Sequence, residues 1–123
     1  MIRSDFLMRQ FTQLIQALIG LLLKRKLSVS SEEEQSYIKT GITLLETDID
    51  EKQLCAMSAE SIIELFSVKN HFLEKLEIVA YILMLEQERN CVCHSETIKT
   101  LLLYVNEHSN TFSLDRQMII DSL

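Results

Sequence analysis

The string Cys91-Val92-Cys93-His94 gathers the most reactive residue types in the chain, and thiolate with imidazole is the donor set that suits zinc. A structural zinc site wants four ligands, usually as two spaced pairs. The other candidates, Cys55, His71 and His108, are scattered and supply no second C-x2-C or H-x3-H pair. The string therefore reads as a connector carrying small thiols, and no metal or other cofactor is expected. A thiol can also be activated by a neighbouring imidazole, which would make Cys91 a nucleophile assisted by His94, but no third group is indicated to orient that pair. His71 and Glu74 lie one helical turn apart, as in di-iron bundles, yet their order is reversed and no second pair accompanies them. Gly20 and Gly41 both sit inside helical patterns, so no glycine loop is available to cradle phosphate. No catalytic residue is expected, and the chain reads as a non-enzyme.

The elements that must position these residues are helices. The chain has 123 residues with no proline, no tryptophan and two glycines, where average composition would give about six prolines and nine glycines. Those residues punctuate turns and sheet corners, so their scarcity argues against sandwiches, barrels and flexible linkers. Hydrophobic residues at 47% and charged residues at 24% fit one packed domain over residues 1–123. The net charge of -6 argues against a nucleic-acid partner, because such affinity comes mostly from lysine and arginine against phosphate. Lys24, Arg25 and Lys26 form the one basic cluster, read as the C-terminal end of a helix whose dipole favours cations there. The odd number of cysteines, three, points to free thiols in a reducing cytoplasm. The apolar run Leu14–Leu23 covers about ten residues, against the roughly twenty that cross a bilayer, so a membrane partner is not expected.

Six or seven helices are expected, joined by short connections that favour antiparallel hairpins. The first runs from about residue 5 to 25 with Ser4 as N-cap. Twelve of the 18 residues from Phe6 to Leu23 are apolar, and the polar positions Arg9, Gln13, Gln16, Gly20 and Lys24 form one narrow stripe. Such a helix wants apolar neighbours on more than one side: it is either the centre of the bundle or a surface awaiting another chain. In the second case Leu7, Phe11, Leu14, Leu18 and Leu22 form the interaction face. The hairpins follow over residues 31–122. Helix two starts at Ser30 or Ser31 and stops near Glu46. Capping signals at Asp50 with Gln53 and at Ser58 open two short helices, with Ile49 stapled on Leu54 and Met57 on Ile62. A long apolar helix spans about 70 to 88. Ser95 caps the next helix, and Ser113 caps the last, with Met118, Ile119 and Leu123 inward.

Asp5-Phe6-Leu7-Met8-Arg9-Gln10, the pairing of residues 72–88 with residues 95–108, and Thr111-Phe112-Ser113-Leu114-Asp115-Arg116 resemble a bacterial family of small all-helical proteins with tetratricopeptide-repeat-like folds. The chain lacks the proline and tryptophan of the repeat consensus and has alanine only at Ala80 in its best-matching helix. What the resemblance implies is TPR-like stacking of helical hairpins, with a compact bundle as the alternative, and a protein-interaction or scaffolding role. The expected partner is another protein or a second copy of the chain. The alternatives are peripheral membrane association through helix one and a small-molecule sensor or enzyme with a helical cavity.

Overall fold

The computed structural model describes residues 2–23, 31–90, 93–110 and 112–123. Among these residues the chain is all-α, with seven helices: α1 Ile2–Leu22, α2 Ser31–Leu44, α3 Glu51–Ala56, α4 Ala59–Ser67, α5 Phe72–Asn90, α6 Ser95–His108 and α7 Leu114–Ser122. α1 already includes position 4, so Ser4 is not its N-cap, and the basic cluster Lys24–Lys26 and Ser30 lie outside the described residues.

The short helices start where side chains satisfy orphan amides. Asp50 accepts a hydrogen bond from the Gln53 amide at 2.9 Å, and the Gln53 side-chain oxygen accepts one from the Asp50 amide at 2.9 Å, a reciprocal box that opens α3. Ser58 and Ser113 accept from the amides of Ser61 and Arg116, each at 3.2 Å, to open α4 and α7. α6 differs from expectation. Its N-cap is His94, which makes no side-chain cap, and Ser95 is already helical. The work is done from α5, where the Gln87 side-chain oxygen accepts from the His94 amide at 2.6 Å and from the Ser95 hydroxyl at 3.3 Å.

α5 is the axis of the molecule. Every residue from Lys75 to Leu85 is buried, because the helix is covered by α1, α2, α3, α4 and α6. A stacked repeat would leave each hairpin touching only its neighbours, whereas here one helix serves five, so the arrangement is a bundle around a central helix. α1 packs on α5, α2 and α7. From Leu7 onward most of its apolar side chains are thereby covered within the chain, while Phe6 and Met8 stay exposed. Gly41 lets α2 approach closely: a Cβ there would lie 3.0 Å from Ile82 Cδ1 and 3.2 Å from Ile78 Cγ2.

Candidate functional site

The proposed interaction stripe on α1 faces inward. Phe11, Leu14, Leu18 and Leu22 are buried, and Leu7 is half-buried against the same core. They are core residues, because α5 and α2 cover the side of α1 on which they lie. Phe6 and Met8 near the start of α1 are exposed, as are Val68 and Leu103 singly, and three further exposed apolar side chains lie close together before and in α7. Phe112 is 75% exposed, Leu114 66% and Met118 45%. Leu114 and Met118 are four residues apart on one face of α7, and Phe112 immediately precedes the Ser113 cap. Met118 thus points outward rather than inward, while Ile119 and Ile120 take the core positions.

A sequence signal for this ledge exists in the staple geometry. A residue before an N-cap packs on the residue four positions into the helix. Ile49 and Met57 find Leu54 and Ile62 at that position, and all four are buried or packed against the core. Phe112 finds Gln117 there, which is polar, so the aromatic ring has no staple partner in its own helix.

The polar chemistry is distributed over three places. In the first, an open cleft of about 360 Å³ is lined by Gln35 from α2, Glu51, Lys52 and Cys55 from α3, and Glu86 and Arg89 from α5. Burial pushes the Glu51 carboxyl up to about 7, helped by a hydrogen bond to Glu86 and by that group's charge, with Arg89 opposing. Burial and the same two carboxylates push the Cys55 thiol up to about 11, so it is a poor nucleophile at neutral pH. Burial and the neighbouring Glu86 thus favour the protonated form of Glu51, and the cleft offers no activated nucleophile.

In the second, Glu77 of α5 accepts a hydrogen bond from the Tyr81 hydroxyl at 2.6 Å, and Arg116 of α7 brings its Nε to 3.8 Å from the same carboxylate oxygen. All three side chains are buried. Burial raises the Glu77 pKa against the opposing hydrogen bond and guanidinium, and raises that of Tyr81 as well. The Arg116 Nε and Nη1 atoms make no hydrogen bond, so the group works as a charge pair tying α7 to α5. This network was not legible in the sequence, since Glu77 and Arg116 lie far apart along the chain and meet only in the packed bundle.

The third place is the connector before α6. Cys93 is exposed, and its thiol pKa is lowered by the Ser95 amide and then by the Ser95 hydroxyl, the environment of a helix N-terminus. Cys91 lies outside the described residues. The His94 ring has a buried Nε2 without a hydrogen-bond partner. His71 is not on α5: it sits in the preceding turn with φ 57° and packs on Phe11, ring centroids 5.3 Å apart. His108 stacks on Tyr104 at 4.0 Å. Among the described residues no group of three or more His, Cys, Asp or Glu is placed to hold a metal ion.

The chain matches no family model, no curated protein and no solved structure. Its function is therefore argued from its own surfaces.

Proposed function

We propose that this chain is a non-enzymatic protein-interaction module whose contact surface is the ledge formed by Phe112, Leu114 and Met118 at the start of α7. The observation that carries the reading is the outward exposure of three large apolar side chains within one short stretch, a composition favoured in protein interfaces and costly to leave in water. The occupant is a second copy of the chain or another protein. Cytoplasmic residence and the bacterial scaffolding role implied by the resemblance belong to the same proposal. The charge of -6 supports a protein over a nucleic acid as partner. No described helix is long and apolar enough to cross a membrane.

The test compares wild type with a Phe112→Ser/Leu114→Asp double variant and with Leu18→Ala, by light scattering over a concentration series and by affinity isolation from the native cell. The ledge variant is expected to stay folded and lose association. Leu18→Ala is expected to lose about 2–5 kcal/mol of stability, the range for truncating a buried leucine, while its folded fraction still associates. A wild type that is monomeric throughout and isolates the same proteins as the ledge variant would sink the proposal.

A further inference from the structure

α3 is the most lightly held element of the bundle. It is six residues long, and its one buried side chain is Leu54. Cys55 and the flanking Ile49 and Met57 are only partly buried against the core, and the polar contact of α3 with α5 lies in the cleft, where the Glu51 carboxyl meets that of Glu86. One Glu51 oxygen, Oε1, is buried there without a hydrogen-bond partner. A carboxylate in that position would carry charge with no donor to satisfy that oxygen.

We propose that the α3–α5 seam is a proton-controlled latch: Glu51 and Glu86 share a proton across the cleft that holds α3 against α5, and release of that proton to solvent frees α3 to lift. Two carboxyls sharing a proton form a hydrogen bond, whereas two carboxylates at the same separation repel. The remaining charged groups modulate this without cancelling it. From α3 and its cap, Asp50 adds negative charge, Lys52 lines the cleft, and Cys55 stays protonated through the neutral range. From α5, Arg89 favours ionisation of Glu51. From α2, Gln35 is neutral at any pH.

The sign follows from the two states of the chain. Unfolded, Glu51 releases its proton near the ordinary value of 4.5, and folded it holds the proton to about 7. The stabilisation is complete below 4.5, declines as pH rises between these values, and is gone above about 7. Mild acid therefore closes the latch and mild alkali opens it. Cys55, one turn beyond Glu51, is uncovered when α3 lifts.

The experiment is amide hydrogen exchange over pH 5–8.5 on the full chain, with rates corrected for intrinsic exchange, alongside NMR titration of the side-chain carboxyl carbons. Wild type is compared with Glu51→Gln, Glu86→Gln and, as a control, Glu64→Gln on the exposed face of α4. Protection of α3 in wild type and Glu64→Gln should fall about tenfold between pH 6 and 8, the equivalent of one pKa unit, while the centre of α5 is unchanged. Both variants that remove a carboxyl from the pair should abolish the fall. The carboxyl titration needs no variant and stands if either one fails to fold. Titration of both carboxyls at ordinary values overturns the latch, as does flat α3 protection in wild type, or a fall that survives in the Gln variants.

Discussion

Cys55 and Cys93 carry the same thiol in opposite surroundings. Cys55 is half-buried beside two carboxyls, and Cys93 is exposed before α6 with Ser95 donating to it. Because the thiolate is the reactive form, alkylation at pH 7.5 should modify Cys93 at least about tenfold faster than Cys55. Peptide mapping after iodoacetamide treatment in a Cys91→Ser background reads the two rates separately, and equal rates would refute the assignment. The Cys91–His94 string drew attention to this corner from the sequence alone, since residue type and spacing were enough to locate it. The carboxyl pair was not legible. Glu51 sits in a capping segment and Glu86 in what looks like a solvated helix end, and only the packing of α3 on α5 brings them into one cleft.

At the scale of elements, local chemistry was the readable part. Caps at Asp50, Ser58 and Ser113 are written in neighbouring residues, and they hold in the folded chain. The end of α2 was legible only approximately. The helix stops at Leu44, and Glu46 takes the left-handed conformation, φ 53°, that glycine usually supplies. Its carboxylate charge also opposes the depression of the Lys75 pKa caused by burial, which gives a glutamate a reason to stand there. The two glycines look alike in sequence, yet the structure separates them. Nothing lies within 4 Å of a Cβ built on Gly20, so Gly20→Ala should stabilise the protein by about 0.5–1 kcal/mol through helix propensity alone. Gly41→Ala pushes a methyl onto Ile78 and Ile82, both fully buried. It should destabilise by about 1 kcal/mol or more, as overpacking outweighs propensity. Urea denaturation of the two variants measures both, and a stabilised Gly41→Ala would show that α2 can shift away from α5.

For the whole molecule, the apolar excess of α1 and α5 had two readings in sequence, a buried centre or a face kept for another chain. Packing decides between them. α5 is enclosed by five helices and α1 lies against three, so the leucine stripe of α1 is core and only Phe6 and Met8 at its start face outward. Periodicity could not settle this, because a stripe of leucines looks the same whether its partner is in the same chain or another. Association, if it occurs through the ledge on α7, should consequently be separable from stability, which is why Leu18→Ala and the ledge variant are expected to fail in different assays. The enclosure of α5 also bears on how the protein dies. From Ile78 to Leu85 eight consecutive residues carry no charge and no proline, and β-branched and aromatic members among them are compatible with strands. Only the surrounding helices keep this run apart from the same run in a neighbouring molecule. Heating should therefore end in aggregation rather than reversible unfolding, seen as a lost transition on rescanning and a midpoint that shifts with scan rate.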